Sequence, residues 1–445
     1  MSKYFGTDGV RGVAFKDITE NLAYRIGRFL GHFPNGKKNK ILIGRDTRFS
    51  GEALENALTE GILLSGSEVD TLRITTTPSI SYIVQNGEYD FGIMISASHN
   101  PYEDNGIKVF SNIGEKLSAD IEDLIEEYID SEEDYLLKHF LDYSKVKYRK
   151  DLIEDYLKYL SKRTYTENLK TFNILIDCAN GSSSVVAKHY FGDILNQNVT
   201  ITNFEFNGKN INDNCGSTHI DNLVENMKNG QYDFGLSFDG DADRLIIVDE
   251  KGNVVDGDIF MYISALYLRE KGKLNDDTIV VTKMSNLGLK KALEKQGINY
   301  FEVDVGDKYV QSALKSHGWS LGGEQSGHVM FFEDMNTGSG ILSATKLISL
   351  LSEKNVPLSQ LTKDILIYPQ HLINVRVKDK KTILNNDELK TLIAQSQNDL
   401  QGNGRILVRP SGTENLIRVM VEAPTIEECI KNAERIASMI KQLDK

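Results

Sequence analysis

Tyr89-Asp-Phe-Gly-Ile-Met-Ile-Ser96 returns later in the chain as Tyr232-Asp-Phe-Gly-Leu-Ser-Phe-Asp239. In each copy a short apolar run follows a polar start and ends on a hydroxyl or carboxyl side chain. A repeated unit of this kind predicts structurally related domains, with a chance likeness of four residues as the alternative. Trp319-Ser-Leu-Gly-Gly-Glu324 reads as a fainter third copy. The chain has 445 residues, too many for one core and enough for three or four domains. Ile41-Leu-Ile43, Phe91 to Ile95, Ile174-Leu-Ile176 and Ile279-Val-Val281 are candidate buried strands alternating with amphipathic helical stretches. That alternation predicts an α/β architecture with largely parallel sheets, whose ligands lie beyond the carboxyl ends of the strands. Ile121, Leu124, Ile125 and Tyr128 recur at helical spacing and predict a core-facing stripe. The charged stretch from about Ser131 to Lys150 is a candidate boundary, and a C-terminal unit is expected to begin near Tyr368-Pro369.

Composition removes several classes of function. The formal net charge is −13, with no long basic block, which argues against nucleic acid or an anionic membrane as partner. An anionic substrate would need a locally basic site. Cys178, Cys215 and Cys429 are scattered and odd in number, so they predict neither a disulfide framework nor a metal-binding pair and fit a reducing cytoplasm. The N-terminal residues lack a signal pattern and no apolar run approaches a membrane span, so a soluble, unexported protein is expected.

Asp239-Gly-Asp-Ala-Asp-Arg244 follows the second copy directly. Alternation puts its three carboxylates on one side of an extended segment, where they repel unless a cation neutralises them. A hard divalent ion is the natural partner, and Mg²⁺ held by three oxygens shares its remaining positions with water and phosphate. The spacing of Asp239, Asp241, Asp243 and Glu250 mimics an EF-hand, but Arg244 occupies the position that needs glycine. A hydrolase that uses an aspartate of this loop as nucleophile is an open reading at this point. A solvated acidic turn is the bland one.

The loop after the first copy is Ser96-Ala-Ser-His-Asn-Pro101. Asn-Pro enforces a turn that displays Ser98, with His99 beside it, and Lys108 follows on a short apolar run that can carry a positive charge or a proton carrier to the same place. Arg409-Pro-Ser-Gly-Thr-Glu-Asn-Leu-Ile-Arg418 lies between two apolar runs. Its hydroxyls Ser411 and Thr413, the permissive Gly412, and Arg409 and Arg418 suit a phosphate monoester; a hairpin turn with Glu414 salt-bridged to an arginine is the plainer reading. In Gly322-Gly-Glu-Gln-Ser-Gly-His328, Glu324, Gln325, Ser326 and His328 offer directional hydrogen bonds suited to a sugar, or form a polar structural loop. Tyr4-Phe-Gly-Thr-Asp-Gly-Val-Arg-Gly12 brings Arg11 near the N-terminus.

These five segments, in this order, resemble the α-D-phosphohexomutase superfamily, and the resemblance runs from residue 4 to about 423. It implies four domains around a central cleft: three related α/β domains with mixed, largely parallel sheets and a C-terminal α+β domain. The boundaries expected are residues 1–150, 151–252, 253–366 and 367–445, carrying in turn the phosphoserine, the metal loop, the sugar loop and the phosphate loop. The resemblance implies that Ser98 is the phosphoserine and, with Asp239, Asp241 and Asp243, a ligand of Mg²⁺. It implies that Arg244 partners the phosphoserine, that Lys108 and Arg11 serve proton transfer and phosphoryl stabilisation, and that His99 belongs to the same loop. Glu324 and Ser326 match sugar-hydroxyl contacts, and Arg409, Ser411, Gly412, Thr413 and Arg418 match the binder of the phosphate that does not react.

The motifs are most similar to the branch that acts on glucosamine phosphates. The implied activity interconverts glucosamine 6-phosphate and glucosamine 1-phosphate through a bisphosphorylated sugar, a supply line for amino-sugar nucleotide and cell-wall synthesis. A hexosamine or hexose 1,6-bisphosphate is the expected activator, and relatives are often dimers. A glucose or mannose phosphate mutase, a sugar phosphatase and a non-catalytic sugar-phosphate sensor are the alternatives. Three positions depart from the family pattern: Ser339 stands in place of a common acid, Asn415 in place of a proline and Lys308 in place of an arginine.

Overall fold

A computed structural model describes residues 3–6, 8–34, 37–131, 134, 136–411 and 415–444. The chain divides into two compact units, residues 1–284 with 299–363 and residues 285–298 with 364–445. Three sheets belong to the first unit. The largest has seven strands in the order Phe5–Gly6, Gly9–Val13, Asp104–Ser111, Phe91–Ile95, Lys40–Arg45, Glu68–Ile74 and Val146–Tyr148. Phe91–Ile95, Lys40–Arg45, Glu68–Ile74 and Val146–Tyr148 run parallel, whereas Asp104–Ser111 returns antiparallel to Phe91–Ile95.

The second sheet repeats this plan. Phe234–Phe238 is parallel to Asn173–Asp177, which is parallel to Asn198–Thr202, and Leu245–Asp249 returns antiparallel beside Phe234–Phe238. In the third, Leu321–Gly323 and Asn299–Val303 flank Thr278–Thr282 in parallel, and Val329–Phe331 returns antiparallel beside Leu321–Gly323. The faint third copy is therefore the same topological unit as the other two. The sheets are mixed because a tight loop follows each echoing strand, and a short loop can return only an antiparallel neighbour.

Strand Phe91–Ile95 is buried along its whole length, as is Phe234–Phe238, which explains why both are apolar apart from Ser237. Helix Ala119–Asp130 buries Ile125 and Tyr128 and half-buries Ile121, but Leu124 is exposed. The expected four-residue stripe is thus narrower by one position. Helix Gly340–Lys354 begins where Ser339 Oγ accepts the Leu342 N–H at 3.2 Å, and it ends on Asn355 in the left-handed region at φ 54°. The departure at Ser339 is a change from one good N-cap type to another.

In the second unit, Leu416–Glu422 is the middle strand of an antiparallel sheet, with Gln370–Arg376 and Arg405–Pro410 on either side. Helix Ile426–Leu443 covers it through Cys429, Ala433, Ile436 and Ile440. Helix Leu287–Gln296 joins this unit because Leu287 N–H donates to the buried Glu422 carboxylate at 3.1 Å, and Asn286 exchanges two 3.0 Å bonds with the Tyr368 backbone. Sequence order alone does not show that attachment.

Candidate active site

The loops after the first two echoing strands meet. Ser98 Oγ donates to Asp239 Oδ2 at 2.6 Å and lies 3.3 Å from His99 Nδ1. Ser98 is buried, and its backbone is left-handed at φ 51°, a conformation that must be held from outside. The Ser98 carbonyl accepts from Arg48 Nη2 at 3.0 Å and Asn212 Nδ2 at 2.9 Å, while its amide donates to Ser96 Oγ at 2.9 Å. Gly240 carries no Cβ because one there would lie 2.5 Å from the Ser98 carbonyl oxygen.

Asp239, Asp241 and Asp243 are buried, and one oxygen from each lies within 4.8 Å of the others. Burial, then the neighbouring Asp243 and Asp241 carboxylates, pushes Asp239 well above the usual carboxylate range. Asp241 Oδ1 is buried without a hydrogen-bond partner among the described residues. Among the described residues Asp243 Oδ1 has only long contacts, 3.6 Å to His328 Nδ1 and 3.8 Å to Arg244 Nε. Buried oxygens left in this state fit a hard divalent cation, which would satisfy their lone pairs and let all three groups ionise together.

A chain of ion pairs runs away from the cluster. Lys108 Nζ lies 2.9 Å from Asp241 and 3.2 Å from Asp8, Lys116 lies 2.6 Å from Asp8, and Lys116 reaches Asp307 at 2.6 Å. Arg11 also reaches Asp8, at 2.7 Å. Burial opposes the charge on Lys108, but Asp241, Asp8 and Asp243 outweigh it and hold the amine well above its ordinary range. Lys108 is therefore an ammonium here, able to donate a proton or offset negative charge. His99 is pulled down to about 4 by burial, then by Arg244 and Arg11, and is neutral at pH 7.

The third loop joins the same cluster. Leu245 N–H donates to the Gly327 carbonyl at 3.1 Å, tying the Asp239 to Arg244 loop to Gly322 to His328. Glu324 Oε1 accepts the Gly306 N–H at 3.0 Å, and Ser326 Oγ is buried with no hydrogen-bond partner among the described residues. Gln325 is turned elsewhere, to Asp256 at 3.0 Å. His328 Nε2 accepts the Gly338 N–H at 3.2 Å, which leaves the ring hydrogen on Nδ1 facing Asp243. Arg244 N–H donates to Asp239 Oδ1 at 3.1 Å, and its guanidinium is raised by Asp243 and Asp239 against the cost of burial.

In the second unit, Arg409 and Arg418 stand opposite one another in the ladder of Arg405–Pro410 with Leu416–Glu422. Burial and Arg418 push Arg409 down, since like charges at directly paired positions repel. Ser411 is buried at the end of the same hairpin, its N–H on the Leu416 carbonyl at 2.9 Å. Gly412, Thr413 and Glu414 lie outside the described residues. Asn415 continues the hairpin, its carbonyl accepting the Val377 N–H at 3.0 Å. Lys308 is exposed over the Tyr309 ring.

Sequence reasoning missed the braces of the site. Arg48 is fully buried and donates to the carbonyls of Ser98, Asn100, Pro101 and Asp104, with its Nε on Asp46 at 2.9 Å. Asp46 in turn accepts from Ser96 Oγ at 2.7 Å. Thr77 Oγ1 donates to Asp241 Oδ2 at 2.6 Å. The available signal was position: Asp46-Thr-Arg48 directly follows an apolar strand, at the sheet edge where ligands gather.

Four family models of phosphoglucomutase/phosphomannomutase match: alpha/beta/alpha domain I over residues 2–136, domain II over 154–252, domain III over 256–367 and the C-terminal domain over 372–439. The chain belongs to the phosphoglucomutase/phosphomannomutase family. Within this family it is similar to the phosphoglucosamine mutase of Anoxybacillus flavithermus, 48% identical over 99% of both chains, and to that of Bacillus subtilis, 47% identical over 99% of both. Its fold is shared by a phosphomannomutase-like structure from Thermus thermophilus, with a TM-score of 0.80, 20% identity and coverage of 98% and 100%. An N-acetylphosphoglucosamine mutase of Aspergillus fumigatus, solved with GlcNAc-6P and magnesium, aligns with a TM-score of 0.69 at 18% identity, covering 100% and 96% of the two chains. The four domains and the enzymatic class follow from membership in this family.

Proposed function

We propose that the protein interconverts glucosamine 6-phosphate and glucosamine 1-phosphate through a phosphoserine at Ser98. The observation that carries this reading is the buried 2.6 Å contact of Ser98 Oγ with Asp239, inside a three-carboxylate cluster beside an ammonium. The choice of glucosamine rests on full-length relatives named phosphoglucosamine mutase.

In the forward direction the Oγ–P bond of phospho-Ser98 breaks as a new P–O bond forms to the free O1 hydroxyl of the sugar, giving a 1,6-bisphosphate. The sugar turns, the O6–P bond breaks, and Ser98 Oγ takes that phosphoryl group back, leaving the 1-phosphate. Asp239, Asp241, Asp243 and an oxygen at Ser98 would hold Mg²⁺, which as a Lewis acid supplies charge stabilisation to the transferring phosphoryl group. Arg11 and Arg244 add donors for phosphoryl oxygens. Lys108, as an ammonium, supplies a proton to the serine oxygen as it leaves and regains one from the attacking sugar hydroxyl, with the serine and sugar oxygens exchanging these parts in the second transfer, and neutral His99 orients the serine oxygen. The unpartnered Ser326 hydroxyl and Glu324 suit sugar hydroxyls, while Arg409, Ser411 and Arg418, with Gly412 and Thr413, suit the phosphate that stays. The domains are read at residues 1–150, 151–252, 253–366 and 367–445.

Peptide mass spectrometry after incubation with a hexose 1,6-bisphosphate tests the serine. A phosphoryl group on Ser98 is expected, and its absence would sink the mechanism. Equal kcat/KM for glucosamine, glucose and mannose 6-phosphates would remove the substrate assignment.

A further inference from the structure

Next to the braces, lined by Arg45 just before Asp46, lies a cavity of about 360 Å³ that the reaction does not use. It opens at the carboxyl ends of the parallel strands Lys40–Arg45 and Glu68–Ile74, the sheet edge where α/β proteins place ligands. Its volume falls in the range of small-molecule sites. Leu72, Ile74, Leu157 and Val186 give it an apolar lining.

The charged groups around it are mostly cationic, in a chain of net charge −13. Arg45, Arg73, Lys150 and His189 line the cavity with a single acid, Glu154. Arg45 is satisfied by Glu55 at 2.9 Å, and Glu154 faces His189 Nε2 at 3.2 Å. Arg73 and Lys150 make no ion pair among the described residues; Arg73 lies over the half-exposed Tyr148 ring at 4.9 Å. Arg73 also has a left-handed backbone at φ 57°, a cost that an ordinary surface arginine avoids. Two unmatched cations beside an apolar, aromatic-edged hollow are complementary to a flat ring bearing an anionic group.

Both strands that line the cavity run on into the reaction centre. Arg45 is followed by Asp46 and, two residues on, Arg48, which hold the Ser98 loop, and Ile74 leads through Thr75 and Thr76 to Thr77, which holds Asp241. We propose that this cavity is a second ligand site for an aromatic monophosphate, its ring on the apolar lining and its phosphate on Arg73 and Lys150, and that occupancy alters turnover through these two strand ends.

Isothermal titration calorimetry of the full chain with AMP and UMP, against adenosine as the uncharged control, tests the site without relying on the proposed activity. Saturable binding of one nucleotide per chain is expected, with adenosine weaker. Arg73→Ala and Lys150→Ala, both at exposed side chains, should each weaken it about tenfold, the loss of one charge-assisted contact. Ser98→Ala should leave it unchanged. No saturable heat with either nucleotide, or binding that survives the Arg73→Ala/Lys150→Ala double variant, overturns the site. The second arm rests on the proposed mutase activity: nucleotide should shift kcat in the parent chain and not in the double variant, which keeps basal turnover. Nucleotide binding with no shift in kcat overturns the coupling while leaving the site.

Discussion

Arg48→Met should detach the Ser98 loop. The side chain is fully buried, its Nε on Asp46 at 2.9 Å and its terminal nitrogens on four backbone carbonyls from Ser98 to Asp104. Methionine fills most of the volume but leaves Asp46 buried without its cation, a change worth about 3–5 kcal/mol. The Ser98 and Asn100 carbonyls keep Asn212, so the loss centres on Asp46 and the Pro101 to Asp104 end of the loop. Arg48→Lys is the sharper probe. It keeps a charge for Asp46 but has no planar fork, so it loses two or three carbonyl contacts at about 1 kcal/mol each. A 1 Å displacement of a reacting group costs about 100-fold in rate, so kcat should fall by about that factor while KM changes little. Amide hydrogen exchange over residues 98–104 should quicken in Arg48→Lys, and urea unfolding should come early in Arg48→Met. The reasoning is refuted if Arg48→Met unfolds within about 0.5 kcal/mol of the parent. Parent-like exchange from Tyr102 to Asp104 in Arg48→Lys would refute it equally.

Asp241→Asn removes a carboxylate that Lys108 and Thr77 already contact, and it should weaken Mg²⁺ binding at least about tenfold in equilibrium dialysis with the circular dichroism spectrum unchanged. Ser339→Ala should cost about 1 kcal/mol in urea unfolding through loss of the helix cap, whereas Ser339→Asp should be near neutral. His189 is raised by Asp193 and Glu154, so the stability it contributes is present below the unfolded value near 6.5 and is lost as pH rises through the higher folded value. Its NMR titration midpoint should lie above 6.5, and Glu154→Gln with Asp193→Asn should return it to that value.

The strands, the three loops and the family were legible because they depend on local pattern: apolar runs ending in polar, glycine-rich turns. The braces were not. Arg48, Thr77 and Asn212 act across large sequence separations, and no periodicity shows which buried arginine will meet which carbonyl. Leu124 was misread because helical spacing gives the direction of a stripe but not how far the neighbouring element extends over it. The attachment of Leu287–Gln296 to the C-terminal unit rests on the buried Glu422 and Asn286, two polar residues whose partners become visible only in three dimensions.

Topology explains why a serine and a set of aspartates from separate domains meet. Each follows a parallel strand and precedes an antiparallel return, so each is delivered to the carboxyl edge of its own sheet by the same connection. Both loops also pass through a left-handed residue, Ser98 at φ 51° and Ala242 at φ 57°. The sharp reversal at each tip is what lets the Ser98 carbonyl approach Gly240 closely enough to exclude a Cβ. Two like tips placed against each other share one buried volume, and carboxylates in that volume need a cation. The third loop obeys the same rule with Glu324 and Ser326 at its tip, and it lies against the Asp239 to Arg244 loop through the Gly327 carbonyl. Repetition of one strand, loop and strand unit thus places a serine, an acidic cluster and a glycine-rich polar loop on adjoining edges, with the topology kept and the residues changed between copies.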